Sequence, residues 1–128
     1  MGQPVVHFEI IGANAAGLRK YYGSLFNWQF DTEAPVAPEV SDEGDYGFTR
    51  PMPEDAVGQI PGGVGGGPGF AAHAVFYVGV PNVEAALQKA EALGGKRVMG
   101  PARNPNGQLV VAHFTDREGT LVGLAGPN

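Results

Sequence analysis

Ala74–Gly95, AVFYVGVPNVEAALQKAEALGG, decides the fold. Ala74–Val80 is a short β-rich apolar run, and Pro81-Asn82 interrupts it with a turn and a helix N-cap. Val83, Ala86, Leu87, Ala90 and Leu93 then recur at helical spacing, and Gly94-Gly95 supplies the left-handed stop that ends many helices. The same order stands about 68 residues earlier in VVHFEIIGANAAGLRKYYGSL, Val5–Leu25. There Val5–Ile11 is the strand, Asn14 the cap, and Ala15–Leu25 the amphipathic helix. Each helix is followed by β-like segments. The first half has Trp28–Phe30, Tyr46–Thr49 and a stretch near Val57–Ile60. The second has Lys96–Met99, Leu109–Thr115 and Thr120–Ala125, with Asp116–Gly119 as the hairpin turn between the last two. Each half therefore reads β-α-β-β-β, an internal duplication.

The fold class that follows is α+β, a single domain over residues 1–128 made of two modules, 4–57 and 71–126. Gly58–Gly69 has seven glycines in twelve residues, so 58–70 reads as a flexible linker between them. It matches neither a dinucleotide fingerprint nor a Walker A loop. The 128 residues include 21 glycines and 11 prolines, a quarter of the chain, yet 43% of residues are hydrophobic and only 16% charged. That balance belongs to a globular domain, not a solvated coil.

Eight basic residues against thirteen acidic ones give a net charge of −5, and the basic ones are scattered. Counterion release on nucleic acid needs a cationic footprint, so no nucleic-acid partner is expected. No apolar run reaches the roughly 20 residues of a membrane span. Absence of cysteine removes disulfides, thiolate metal sites and thiol nucleophiles, and the chain reads as a cytoplasmic protein with no membrane partner.

Strand alternation sorts the polar side chains. Val6, Phe8 and Ile10 form a helix-covered face, leaving His7 and Glu9 on the other. Ala74, Phe76 and Val78 face the second helix, leaving His73, Val75 and Tyr77 opposite. Val110, Ala112 and Phe114 do the same for His113. All three histidines are thereby expected on one surface with Glu9 and Tyr77, a set suited to a small polar ligand. Glu9 with His7 is the candidate catalytic pair, since a carboxylate beside a neutral imidazole can take a proton α to a carbonyl. His73, Tyr77 and His113 are candidate ligand-binding residues. Arg103, in the loop Gly100–Gln108, is the cation expected to meet an anionic ligand. No Ser-His-Asp arrangement can be assembled.

The duplicated unit, with HFEI at residues 7–10, YYGSLFNW at 21–28 and FTDREGTLVGL at 114–124, resembles the vicinal oxygen chelate superfamily of glyoxalases, extradiol dioxygenases and bleomycin resistance proteins. The resemblance implies two modules forming a curved mixed sheet or split barrel, commonly in a homodimer, around a cavity where a divalent metal such as Zn, Ni, Fe or Mn chelates substrate oxygens. His7, 15 residues before Tyr22, matches the first metal ligand of the family. Val75 and Gly123 stand at two further ligand positions, and the fourth falls in Gly58–Gly67, where Gln59 is the one polar side chain. Two readings stay open: a metal-free polar site, the one adopted, and a shifted centre with His7 and His73 as ligands and Glu9 or His113 as the third. Function divides likewise between glyoxalase- or lyase-type acid–base chemistry on a small oxygenated molecule and non-catalytic sequestration of an antibiotic-like one. Trp28, Phe30, Tyr46, Phe48 and the acidic segment Asp31–Asp45 would serve the latter.

Overall fold

The computed structural model describes residues 2–51, 58–105 and 107–128. The chain divides into two compact units, residues 7–74 and residues 75–128 joined by the N-terminal residues up to Val6. In the first, β1 (Val5–Gly12) is followed by α1 (Ala15–Phe26), β2 (Phe30–Asp31), β3 (Gly47–Thr49) and β4 (Gly62–Gly66). The strand order is β2-β3-β4-β1, with β1 parallel to β4 and the other pairs antiparallel. The second unit has β5 (His73–Gly79), α2 (Val83–Ala92), β6 (Lys96–Arg103), β7 (Val110–Thr115) and β8 (Leu121–Gly126). Its order, β6-β7-β8-β5 with β5 parallel to β8, repeats the first module strand for strand. The α+β class and the duplication are those expected.

The helices begin where their caps dictate. The Asn14 side chain accepts from the Gly17 amide at 2.9 Å and the Asn82 side chain from the Ala85 amide at 2.9 Å, each meeting an amide without an intrahelical partner. Gly94, at φ 104°, follows α2 as expected. At the 116–119 turn the Asp116 carboxylate accepts from the Glu118 and Thr120 amides at 2.8 and 3.0 Å. Val80, Val83, Leu87, Val110, Ala112 and Leu124 are buried together beneath α2, with Val78, Ala86 and Phe114 packed against them. Burying these aliphatic side chains supplies the main drive for docking α2, at about 1.5–3 kcal/mol each. Phe76, expected under the helix, is 42% exposed instead, so the cover of α2 ends at Val78.

The glycine-rich stretch departs from its expected role. Val57 lies outside the described residues, and residues 58–60 are not strand. The strand is β4, Gly62–Gly66, buried along its whole length and paired on both edges. Glycine is unfavourable in a strand unless a close neighbour requires it, and here aromatic rings do. A Cβ on Gly62 would fall 2.0 Å from the Phe8 ring, and one on Gly63 would fall 2.1 Å from the Tyr46 ring. Rings thus lie against bare backbone on both faces of β4. Flexibility is not what these glycines supply.

A flexible linker would tolerate Gly63→Ala or gain about 0.4–1 kcal/mol from it. Overpacking against Tyr46 predicts a loss of about 1–3 kcal/mol instead. Urea denaturation, with Gly107→Ala as a control whose Cβ would meet nothing nearer than 3.9 Å, distinguishes the two outcomes.

Candidate active site

In the first unit, β1 places Glu9 in the interior at 2% exposure. A buried carboxylate needs a donor, and Tyr46 provides one: its hydroxyl donates to Glu9 Oε1 at 2.9 Å. The same hydroxyl lies 2.8 Å from His7 Nε2, so three side chains form one hydrogen-bonded chain, His7–Tyr46–Glu9. Tyr46 is itself buried, at 3% exposure. Its ring crosses β4 at Gly63, which is the direct neighbour of Glu9 on one side and of Phe48 on the other. Phe48 packs on both aromatic members, with ring centroids 4.8 Å from Tyr46 and 5.9 Å from His7. On α1, the Arg19 guanidinium donates to the Asp45 carbonyl and anchors the chain just before Tyr46. The Ser41 hydroxyl takes the Gly66 amide at 2.9 Å, fixing the end of the acidic 31–45 segment to β4.

Burial pushes the His7 imidazole down from its ordinary value to about 4, so it is neutral at physiological pH. Its stability consequence has a definite sign. Between pH 6.5 and 4 the unfolded chain binds the proton and the folded chain does not, so stability is full above 6.5 and declines on acidification. Urea denaturation across this window is expected to lose at most about 1.4 kcal/mol per pH unit from this residue. The corresponding slope should flatten in His7→Gln.

The second unit repeats the device with different partners. Tyr77, Gly123 and His113 are direct neighbours on β5, β8 and β7. The Tyr77 ring lies across Gly123, and its hydroxyl is 2.7 Å from His113 Nε2. Both side chains are buried, at 2% and 7% exposure. Each module therefore lays a tyrosine over a glycine on its last strand and joins the phenol to an acid–base side chain.

The remaining expected residues lie elsewhere. His73 opens β5, and its Nδ1–H donates to the Ala71 carbonyl at 2.9 Å. With Ile10, Leu18 and Tyr22 it lines a cavity of about 720 Å³ beside α1. Arg103 does not stand in a loop, because β6 continues through it. It pairs with Val110, which belongs to the face under α2, so it points away from the His113 face of β7. Its guanidinium donates to the Gln108 carbonyl at 3.2 Å. The aromatic set also divides. Trp28 packs with Phe8, Tyr22, Phe26 and Phe30, whereas Tyr46 and Phe48 pack with His7.

The donors present do not assemble the ligand set that a divalent cation has in the resembled family. Val75 is buried and cannot ligate. A side chain on Gly123 would begin 2.6 Å from the Tyr77 ring, and one on Gly63 would begin inside Tyr46. Among the described residues no group of three or more His, Asp or Glu side chains is placed to hold a metal ion. Sequence reasoning missed Tyr46 as a partner of Glu9. The available signal was a glutamate inside the apolar run VVHFEII, which required a donor from another strand.

Comparison with known proteins agrees with this architecture. Solved structures with the same fold include a hypothetical protein of Bacillus halodurans C-125, at 12% identity and TM-score 0.66, covering 98% of this chain and 95% of that one. A Streptomyces coelicolor methylmalonyl-CoA epimerase, in complex with 2-nitronate-propionyl-CoA, superposes at 11% identity and TM-score 0.62, covering 97% and 94%. The Mycobacterium tuberculosis methylmalonyl-CoA epimerase does so at 13% identity and TM-score 0.59, covering 97% and 87%. No curated protein matches the sequence. The family model of the Glyoxalase/Bleomycin resistance protein/Dioxygenase superfamily matches residues 5–124, nearly the whole chain, and the chain belongs to that superfamily.

Proposed function

We propose that this protein binds a small oxygenated molecule and moves a proton at a carbon beside a carbonyl, with Glu9 as the base and no metal ion. The observation that carries this reading is the His7–Tyr46–Glu9 chain, in which Tyr46 and Glu9 are buried and His7 is half-buried. It supplies a carboxylate held by a hydrogen-bond donor in a site of low water content, where electrostatic effects are strengthened. In the forward step the C–H bond breaks, its proton passes to Glu9, and its electron pair becomes the enolate of the ligand. Return of the proton to either face of that carbon gives isomerisation or epimerisation, and loss of a β-substituent gives a lyase reaction. The Tyr77–His113 pair of the second unit is a separate binding candidate, since a phenol or an imidazole N–H can stabilise negative charge on an oxygen. His73 remains a binding candidate through its cavity. For Arg103, the pairing with Val110 argues against the role its charge suggested.

The epimerases among the structural neighbours act on a CoA thioester, which makes acyl-CoA compounds the first ligands to try. The direct experiment incubates the protein in D₂O with methylmalonyl-CoA and a panel of small 2-oxo and 2-hydroxy carbonyl compounds, and follows deuterium at the α-carbon by mass spectrometry. Enzyme-dependent exchange with any of them supports the reading. Tight binding of an aromatic antibiotic, with no exchange anywhere in the panel, favours sequestration instead. This reading also takes the working protein to be a cytoplasmic homodimer, and light scattering after gel filtration tests the dimer.

A further inference from the structure

We propose that the groove between α2 and the strands beneath it is a second ligand site, one that takes an aliphatic carboxylate with its tail in the groove and its anionic head on Lys89 and Arg117. The site follows from how little of the sheet α2 covers. Direct neighbours on adjacent strands share a face, so Val78, Leu124 and Ala112 form one row across β5, β8 and β7, and Val122 with Phe114 begins the next. The ten residues of α2 close the first row with Val83 and Leu87, both fully buried. They leave Val122 and Phe114 half-buried, and Leu93, just past the helix, is 65% exposed. The gap is a groove of about 440 Å³, with Val78, Phe114, Val122 and Leu124 on the sheet side and Ala90 and Leu93 on the helix side. That size falls within the range of about 300–1,000 Å³ typical of small-molecule sites.

The charges at the rim name the occupant. Lys89 on α2 and Arg117 in the 116–119 turn both line the groove, both are exposed, and neither side chain makes an ion pair or hydrogen bond among the described residues. Long cationic side chains lay their stems along apolar surface and keep the charge at its edge. Arg117 does so over the end of α2, where a Cβ on Gly94 would meet its Cγ and Cδ at 3.1 and 3.3 Å. The helix end does not consume these donors, because the Lys89, Ala90 and Glu91 carbonyls already accept from the amides of Leu93, Gly95 and Gly94. Acids do not neutralise them either. Glu84 and Glu91 hold Arg97, and Asp116, the acid among the described lining residues, accepts from the Glu118 and Thr120 amides. Two cations against one carboxylate leave this mouth positive in a chain of net charge −5. A carboxylate offers two oxygens to such a pair, and its contacts with a guanidinium are among the stronger charge-assisted hydrogen bonds. The site uses no group of the acid–base reading and stands independently of it.

Methyl NMR on protein labelled at alanine, valine and leucine, titrated with sodium octanoate, tests the proposal. Saturable shifts are expected at the methyls of Val78, Leu93, Val122 and Leu124. Octylammonium chloride carries the same tail with the opposite charge and should leave those methyls unmoved at the same concentrations. Replacing both cations, Lys89→Gln with Arg117→Gln, should weaken octanoate by about tenfold or more, the loss of charge-assisted contacts. Both side chains are exposed, so the fold should persist. Ala90→Leu, which keeps the charges and fills the groove, should weaken octanoate as well. Equal response to the two amphiphiles, octanoate shifts confined to other methyls, or unchanged affinity in the doubly substituted protein overturns the proposal. If the groove is instead a face between two copies of the chain, the same methyls shift with protein concentration and octanoate adds nothing, which overturns it too.

Discussion

Glu9→Gln is expected to lower α-proton exchange by about 10²–10⁴-fold, the range associated with removing a positioned general base. The substitution keeps shape and keeps an oxygen for the Tyr46 hydroxyl, so the fold should survive and the loss should appear in turnover. Its size follows from the surroundings of Glu9. A carboxylate at 2% exposure has exchanged its hydration for a fixed donor 2.9 Å away, and an amide in the same place cannot take up a proton. Rates of deuterium incorporation at saturating ligand, alongside a urea melt, separate this from a folding defect. Retention of most of the exchange in Glu9→Gln would move the base elsewhere, with His113 the next group to test.

Gly123→Glu, which puts a carboxylate where the resemblance implies a metal ligand, should destabilise this protein by about 3–5 kcal/mol, the cost of an uncompensated buried charge. The reason is local. Gly123 lies between Tyr77 and His113, and the Tyr77 ring occupies the space into which the new side chain would grow. Moving that ring would also break its contact with His113 at 2.7 Å. Urea denaturation measures the loss, and calorimetry with Zn²⁺ or Ni²⁺ should show no stoichiometric binding gained. A stable Gly123→Glu protein that binds one divalent ion tightly would mean that the tyrosine yields and the metal site is merely waiting for its ligand.

These expectations depend on contacts of very different legibility. Both helices, their Asn14 and Asn82 caps and the Asp116–Gly119 turn were readable because each is determined within one or two turns of chain. Glu9 and His7 were readable because alternation along one strand sets their face. Gly62–Gly66 was misread because the reason for its glycines lies elsewhere, in the rings of Phe8 and Tyr46 at sequence distances no local pattern spans. Arg103 was misplaced for a related reason. A proline- and glycine-containing segment looked like a loop, but β7 pairs with it through Arg103, and that pairing sets its direction. The tyrosine-over-glycine arrangement is the same lesson at the site. A glycine at an implied ligand position, Gly123, was visible in sequence, whereas the phenol that lies across it became visible only through strand register.

The most direct test of a metal-free acid–base site compares α-proton exchange by protein dialysed against chelator with exchange by the same protein resupplied with Zn²⁺, Ni²⁺, Mn²⁺ or Fe²⁺. Equal rates, lost together in Glu9→Gln, are the predicted result. Exchange abolished by the chelator and restored by one of the metals would contradict it.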